Sequence, residues 1–143
     1  MTVCVANTHC SEISINHAKA LTESIGHVEW IKDETLMNAV TAVSGSGPAY
    51  LFLLVEAMTR AGVECGLSEE LSSKLAEQTV IGSAQLLQKN QNILSATDLR
   101  TSVTSKGGTT ESAVHSLTDK NAIFELFSKA IHCAQKRGKE LES

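Results

Sequence analysis

Aromatic residues are nearly missing from this chain of 143 residues: three Phe, one Tyr and one Trp make up 3% of it. Packing must therefore rest on Leu, Ile, Val and Ala, within an apolar share of 42% that is ordinary for a globular protein. A single proline, Pro48, and few clusters of β-branched residues favour helix over sheet. There is no basic run, and the formal net charge is −4. Both argue against nucleic acid as a partner, because neutralising phosphates needs clustered Lys and Arg. Cys4, Cys10, Cys65 and Cys133 have no C-x-x-C spacing, and none of the histidines (His9, His17, His27, His115, His132) stands four from another. No metal site is expected; the thiols are expected free and mostly buried, in a reducing cytoplasm. The N-terminus lacks the basic-then-apolar order of a secretory leader. The most apolar run, Ala49 to Met58, is broken by Glu56 and is short of the ~20 residues of a membrane span, so no membrane partner is expected.

What is present is mostly helical pattern. Thr2–Ala6 reads as a short strand, and Ser11-Glu12 opens a helix carrying Ile13, His17, Leu21 and Ile25 that Gly26 stops. Val28–Ile31 reads as a second strand. From Asp33, a plausible N-cap, every pattern is helical, with Leu36, Met37, Val40 and Val43 on one stripe. The segment Ser44–Gly47 reads as a loop, with Pro48 in the first turn of a helix to about Cys65. That helix is apolar nearly all round (Leu51, Phe52, Leu53, Leu54, Val55), and one small domain has difficulty covering it, so a partner subunit is expected. Ser68 caps the next helix, whose face is traced by Leu71, Leu75, Gln78, Ile81, Gly82 and Leu86, with Gly82 and Ala84 small enough for close helix contact. Ser95 with Asp98 opens a short helix; further helices are expected from about Thr109 to Leu117 and from Asn121 to Leu141. The last carries a core stripe of Ile123, Leu126, Phe127, Ala130, Ile131 and Ala134.

Two segments carry chemistry. Ser44-Gly45-Ser46-Gly47-Pro48-Ala49-Tyr50 and Thr104-Ser105-Lys106-Gly107-Gly108-Thr109-Thr110 each run small, hydroxyl-bearing residues into a helical pattern. A helix start offers unpaired backbone N–H groups and a positive dipole end, which suit a carboxylate or phosphate. Either segment alone reads equally well as a tight turn. In the second, Gly107 and Gly108 allow positive φ and close approach of a ligand. Thr109 and Thr110 place hydroxyls by the free amides, where one of them serves either as a helix cap or as a ligand contact.

In this order and spacing the two motifs, SGSGPAY and SxGGTT, resemble the C-terminal half of pyrroline-5-carboxylate reductase, and the resemblance runs from about Asp33 to Leu141. It implies a mainly α fold: a helical dimerisation and substrate-binding domain of about six helices over 33–143, preceded over 1–32 by the last strand–helix–strand of a Rossmann-type dinucleotide-binding domain. The chain would begin inside that domain. The implied activity is NAD(P)H-dependent reduction of 1-pyrroline-5-carboxylate to L-proline in the cytoplasm, by a homodimer or higher homo-oligomer that builds each active site from two chains.

The resemblance also implies roles. Ser105, Gly107, Gly108, Thr109 and Thr110 would bind the carboxylate of substrate or product, with the Thr110 hydroxyl near the ring nitrogen as the catalytic group. Ser44, Gly45, Ser46 and Gly47 would lie near the nicotinamide end of NADPH or NADH. Neither cofactor is expected to bind this chain tightly, since the nucleotide fingerprint G-x-G-x-x-G is missing. Three positions depart from the family pattern. Lys106 replaces the usual proline, Thr101 follows Arg100 where an Asp is common, and Ile93-Leu94-Ser95-Ala96 replaces a Glu-His-Pro-like stretch. The alternative reading is a non-catalytic oligomerisation module derived from the same family.

Overall fold

The computed structural model describes residues 1–142. Strand β1 (Thr2–Val5), helix α1 (Glu12–Glu23) and strand β2 (Val28–Ile31) form a βαβ unit. The strands pair in parallel, with Thr2 opposite Val28 and Val5 opposite Ile31. Parallel neighbours need such a crossover helix, and two strands are too few to stand as an independent sheet. Ser11 caps α1 by accepting from the Ser14 amide at 3.1 Å.

Beyond β2 the described residues are helical. A 3-10 turn (Glu34–Leu36) starts at Asp33, whose carboxylate accepts from the Thr35 amide at 2.9 Å and the Thr35 hydroxyl at 2.6 Å. The hydroxyl bond, then the amide bond, holds the Asp33 carboxyl below its ordinary pKa. Helix α2 (Met37–Val40) follows, then α3 (Gly47–Glu64), α4 (Glu69–Lys89), α5 (Ala96–Ser102), α6 (Thr109–Thr118) and α7 (Ala122–Leu141). The expected mainly α architecture with a strand–helix–strand start is what the chain adopts.

Contacts divide the chain into two compact units, Met1–Ser46 with Ala130–Ser143, and Gly47–Lys129. In the first, the Asn38 side-chain amide donates to Glu142 Oε1 at 3.0 Å. A Cβ on Gly138 would run into the Asn38 side chain, so glycine permits this approach. In the second, α3 and α4 pack as a helical hairpin. Gly66, at φ +98, closes α3, and the Leu67 amide bonds back to the Gly62 carbonyl at 3.1 Å. Ser68 caps α4 through the Leu71 amide. At α5 the expected pair forms a full capping box: Ser95 accepts from the Asp98 amide, and the Asp98 carboxylate accepts from the Ser95 amide and hydroxyl.

Burial within the single chain is sparse, and it corrects one expectation, that the thiols are mostly buried. The α4 residues that bury are Ser72 and Ala76, whereas Leu71, Leu75, Ile81 and Leu86 stay about half exposed. Gly82 has open space where a Cβ would stand; the close approach occurs at Gly62. The cysteines are free but not mostly buried, Cys10, Cys65 and Cys133 being exposed and Cys4 half-buried. A common cause is that this chain covers little of its own apolar surface. Among the described residues, Ala42 and Ala76 are the buried hydrophobics, and even the α7 stripe leaves Leu126 at 67% exposure.

Candidate functional site

The Gly-Gly segment is a turn built by its backbone. The Gly108 amide donates to the Ser105 carbonyl at 3.0 Å, closing a four-residue turn over Ser105–Gly108. Gly107, third in that turn, has φ +74, the left-handed value that a type II turn demands there. Lys106 takes the second position, where proline is favoured and other residues are tolerated. Gly108 is needed for space: a Cβ would stand 2.5 Å from Ser105 Oγ and 3.1 Å from the Ser105 carbonyl oxygen. The turn is anchored upstream by the Thr104 hydroxyl, which donates to the Arg100 carbonyl at 2.6 Å.

Gly108 is also the N-cap of α6, with extended φ −85 and ψ 171. Having no side chain, it caps nothing. Thr109 and Thr110 are the first two helical residues, so neither threonine serves as the helix cap, one of the two roles open to them from sequence. The first helical bond runs from the Ser112 amide to the Gly108 carbonyl at 3.3 Å. The amides of Thr109, Thr110 and Glu111 therefore have no acceptor among the described residues, and all three residues are exposed. Three consecutive unpaired amides at a helix start, with the dipole behind them, are an arrangement suited to a small anion.

A contact not anticipated from sequence lies beside them. The Glu111 carboxylate reaches back to the Gly107 amide at 2.7 Å. The sequence signal was available, since a Glu at the third helical position often returns to the backbone before the helix. Its target is unusual, one residue before the cap rather than the cap itself. Glu111 also borders an open groove of about 510 Å³, shared with Arg100, Thr104, His115, Asp119 and Lys120 among others. Thr109 and Thr110 do not line it.

The segment around Ser44 is not the expected loop. Thr41–Gly45 forms a π-helical turn in which the Ser46 amide donates to the Thr41 carbonyl at 2.8 Å. Gly45 lies close over Thr41, where a Cβ would stand 3.3 Å from its methyl group. Small residues here let the last turn widen by one residue before the bend at Ser46. The Ser46 amide is thereby spent, so Ser44 and Ser46 offer hydroxyls rather than a row of free amides. Single π turns inside helices are frequent at functional positions. Pro48 is the second residue of α3, and Tyr50 meets Phe127 edge to face, with ring centroids 6.2 Å apart. Glu34–Glu64 is long and apolar enough to cross a membrane by length and composition, unlike the shorter Ala49–Met58 run that the sequence displays.

Ser105, Gly107, Gly108, Thr109 and Thr110 thus come together in one turn, whereas Ser44, Gly45 and Ser46 belong to the other compact unit. Among the described residues, no three His, Cys, Asp or Glu side chains gather as metal ligands.

A family profile for pyrroline-5-carboxylate reductase dimerisation matches residues 34–141. The chain belongs to this family. The pyrroline-5-carboxylate reductase of Pseudomonas aeruginosa is 43% identical over 136 residues, covering 95% of this chain and 49% of that protein. The solved reductase of Coxiella burnetii superposes with a TM-score of 0.86 at 39% identity, over 97% of this chain and 50% of that one. A Plasmodium falciparum pyrroline carboxylate reductase, solved with NADP bound, gives 0.78 at 31% identity over 99% and 53%. The chain spans about half the length of these relatives. The family match begins one residue after Asp33, where the helical pattern starts, and includes both motifs.

Proposed function

We propose that this chain is the helical substrate-binding and dimerisation half of a pyrroline-5-carboxylate reductase, catalysing with its cofactor the reduction of 1-pyrroline-5-carboxylate to L-proline. Residues 33–143 form that half, and residues 1–32 are the end of a dinucleotide-binding domain, a reading that the parallel β1–α1–β2 unit supports. The observation that carries the proposal is the row of open amides at Thr109, Thr110 and Glu111, following a glycine turn in a family whose name specifies the substrate. A five-membered cyclic imine bearing a carboxylate suits this cradle. The amides take the carboxylate, and the ring nitrogen then falls within reach of the Thr110 hydroxyl.

A hydroxyl of ordinary acidity is a poor proton source, so Thr110 acts by orienting an already protonated imine. NAD(P)H, when bound, supplies the hydride that the C=N carbon accepts. The exposed Ser44 and Gly45, with the half-buried Ser46 and Gly47, form the surface nearest the nicotinamide end; the Ser44 and Ser46 hydroxyls suit a carboxamide. Phosphate-binding residues are not part of these 143, so weak cofactor affinity is expected of this chain alone.

The second copy of the chain covers α3, whose apolar surface the single chain leaves bare. We assign the apolar stretch Glu34–Glu64 to that subunit interface rather than to lipid, on the strength of the family's dimerisation role. Four free cysteines are consistent with the cytoplasm.

Titration of the isotope-labelled chain with L-proline tests the site. The amide resonances of Gly108 to Glu111 are expected to shift in the millimolar range. Silence at high-millimolar proline would sink the substrate reading and favour a non-catalytic oligomerisation module.

A further inference from the structure

We propose that Glu111 is a positioning residue for the carboxylate-binding turn; the proposal rests on the substrate reading of that turn given above. The turn presents five successive backbone N–H groups, from Gly107 to Glu111. Two are satisfied within the chain: Gly108 by the Ser105 carbonyl and Gly107 by the Glu111 carboxylate. The other three are those that receive the ligand. At an ordinary capped helix, a Ser or Thr at the N-cap accepts from the amide two or three residues on, as Ser95 does from Asp98. A hydroxyl at position 108 would consume one of the ligand's donors. Glycine there leaves the donors open but leaves the turn without a side-chain clasp.

Glu111 supplies the clasp from the other direction. Its backbone amide faces the ligand, while its carboxylate holds Gly107 in the left-handed conformation, one residue outside the cap. The turn is fixed without using any of the three ligand donors. This arrangement has an electrostatic consequence: the carboxylate that holds the turn carries the same sign of charge as the ligand it shapes the site for. Replacing Glu111 by Gln keeps an acceptor for the Gly107 amide and removes that charge. Replacing it by Ala removes both.

The experiment compares the native chain with Glu111→Gln and Glu111→Ala, each labelled with ¹⁵N. Hydrogen exchange at Gly107 is read first, then the response to L-proline. Gly107 is expected to be protected in the native chain and in E111Q, and to exchange about tenfold faster in E111A, as loss of a charge-assisted bond implies. E111Q is expected to bind proline at least as tightly as the native chain, and E111A about tenfold more weakly than E111Q. Equal Gly107 exchange in all three chains, or equal proline affinity in E111Q and E111A, would overturn the proposal. If no chain responds to proline, the substrate reading is what fails, and Glu111 then has no ligand turn to position.

Discussion

Ser72 in α4 donates its hydroxyl hydrogen to the backbone carbonyl of Thr59 in α3, at 2.7 Å. Ser72 is 3% exposed, so this bond is made in one of the few dry places of the single chain. It is possible because Gly62, one turn on from Thr59, has no side chain: a Cβ there would collide with the Ser72 hydroxyl and stand 3.2 Å from its Cβ. The hairpin is pinned by a glycine, a serine and a carbonyl rather than by interlocking leucines.

Gly62→Ala is a direct test of that contact. In an open helix the change stabilises by about 1 kcal/mol through helix propensity. Here overpacking, at about 1–3 kcal/mol, opposes it, and the net expectation is destabilisation by up to about 2 kcal/mol. Ser72→Ala alone should cost about 1 kcal/mol for one buried hydrogen bond. Since it also removes the hydroxyl that the added methyl group would strike, the double variant should be more stable than the sum of the singles by about 1 kcal/mol. Urea denaturation of the four chains gives the answer, and strict additivity would mean that the two residues do not meet.

The glycine turn makes a second, opposed pair of predictions. Lys106 occupies the second position of a type II turn, and no described residue accepts a hydrogen bond from its amide. Lys106→Pro should therefore stabilise the chain by about 0.4–1 kcal/mol, by restricting the unfolded state without costing a bond. Gly108→Ala should destabilise by about 1–3 kcal/mol, because its Cβ has no room beside Ser105. Thermal unfolding measures both. A destabilising K106P would show that Lys106 lies outside the backbone region that proline can adopt.

Legibility in the sequence divides along a physical line. Caps and periodic stripes are local, and these are readable: Asp33, Ser68 and the Ser95–Asp98 pair cap as expected, and α3 and α7 begin and end within about a residue of their expected bounds. Gly107 needs only its own φ to be understood. Which small residue makes a close helix contact is a tertiary matter. Gly82 and Gly62 look alike in sequence, yet only Gly62 faces a neighbouring side chain. The π turn at Thr41–Gly45 reads as a loop in sequence because glycine and serine weaken helix propensity. Propensity is a preference of isolated segments, and the helix that runs into this turn from Met37–Val40 overrides it. The reach of Glu111 to Gly107 follows a known capping habit, but the habit does not say which amide is taken.

The bare surface of α3 leads to the last prediction. Leu51, Phe52, Leu53 and Leu54 are consecutive, so they point around much of the helix, and each is at least 43% exposed. A single packed face covers two of four such positions at most, which is why intramolecular packing alone does not account for the sequence. Covering one large apolar side chain is worth about 1.5–3 kcal/mol. Phe52→Glu removes that gain and places a charge in the interface. Its dissociation constant for self-association should rise by at least tenfold, since about 1.4 kcal/mol corresponds to one decade. Sedimentation of the native chain at micromolar concentration should show a dimer or larger species, and F52E should show a monomer fraction under the same conditions. A native chain that sediments as a monomer would leave the apolar surface of α3 without its proposed cover.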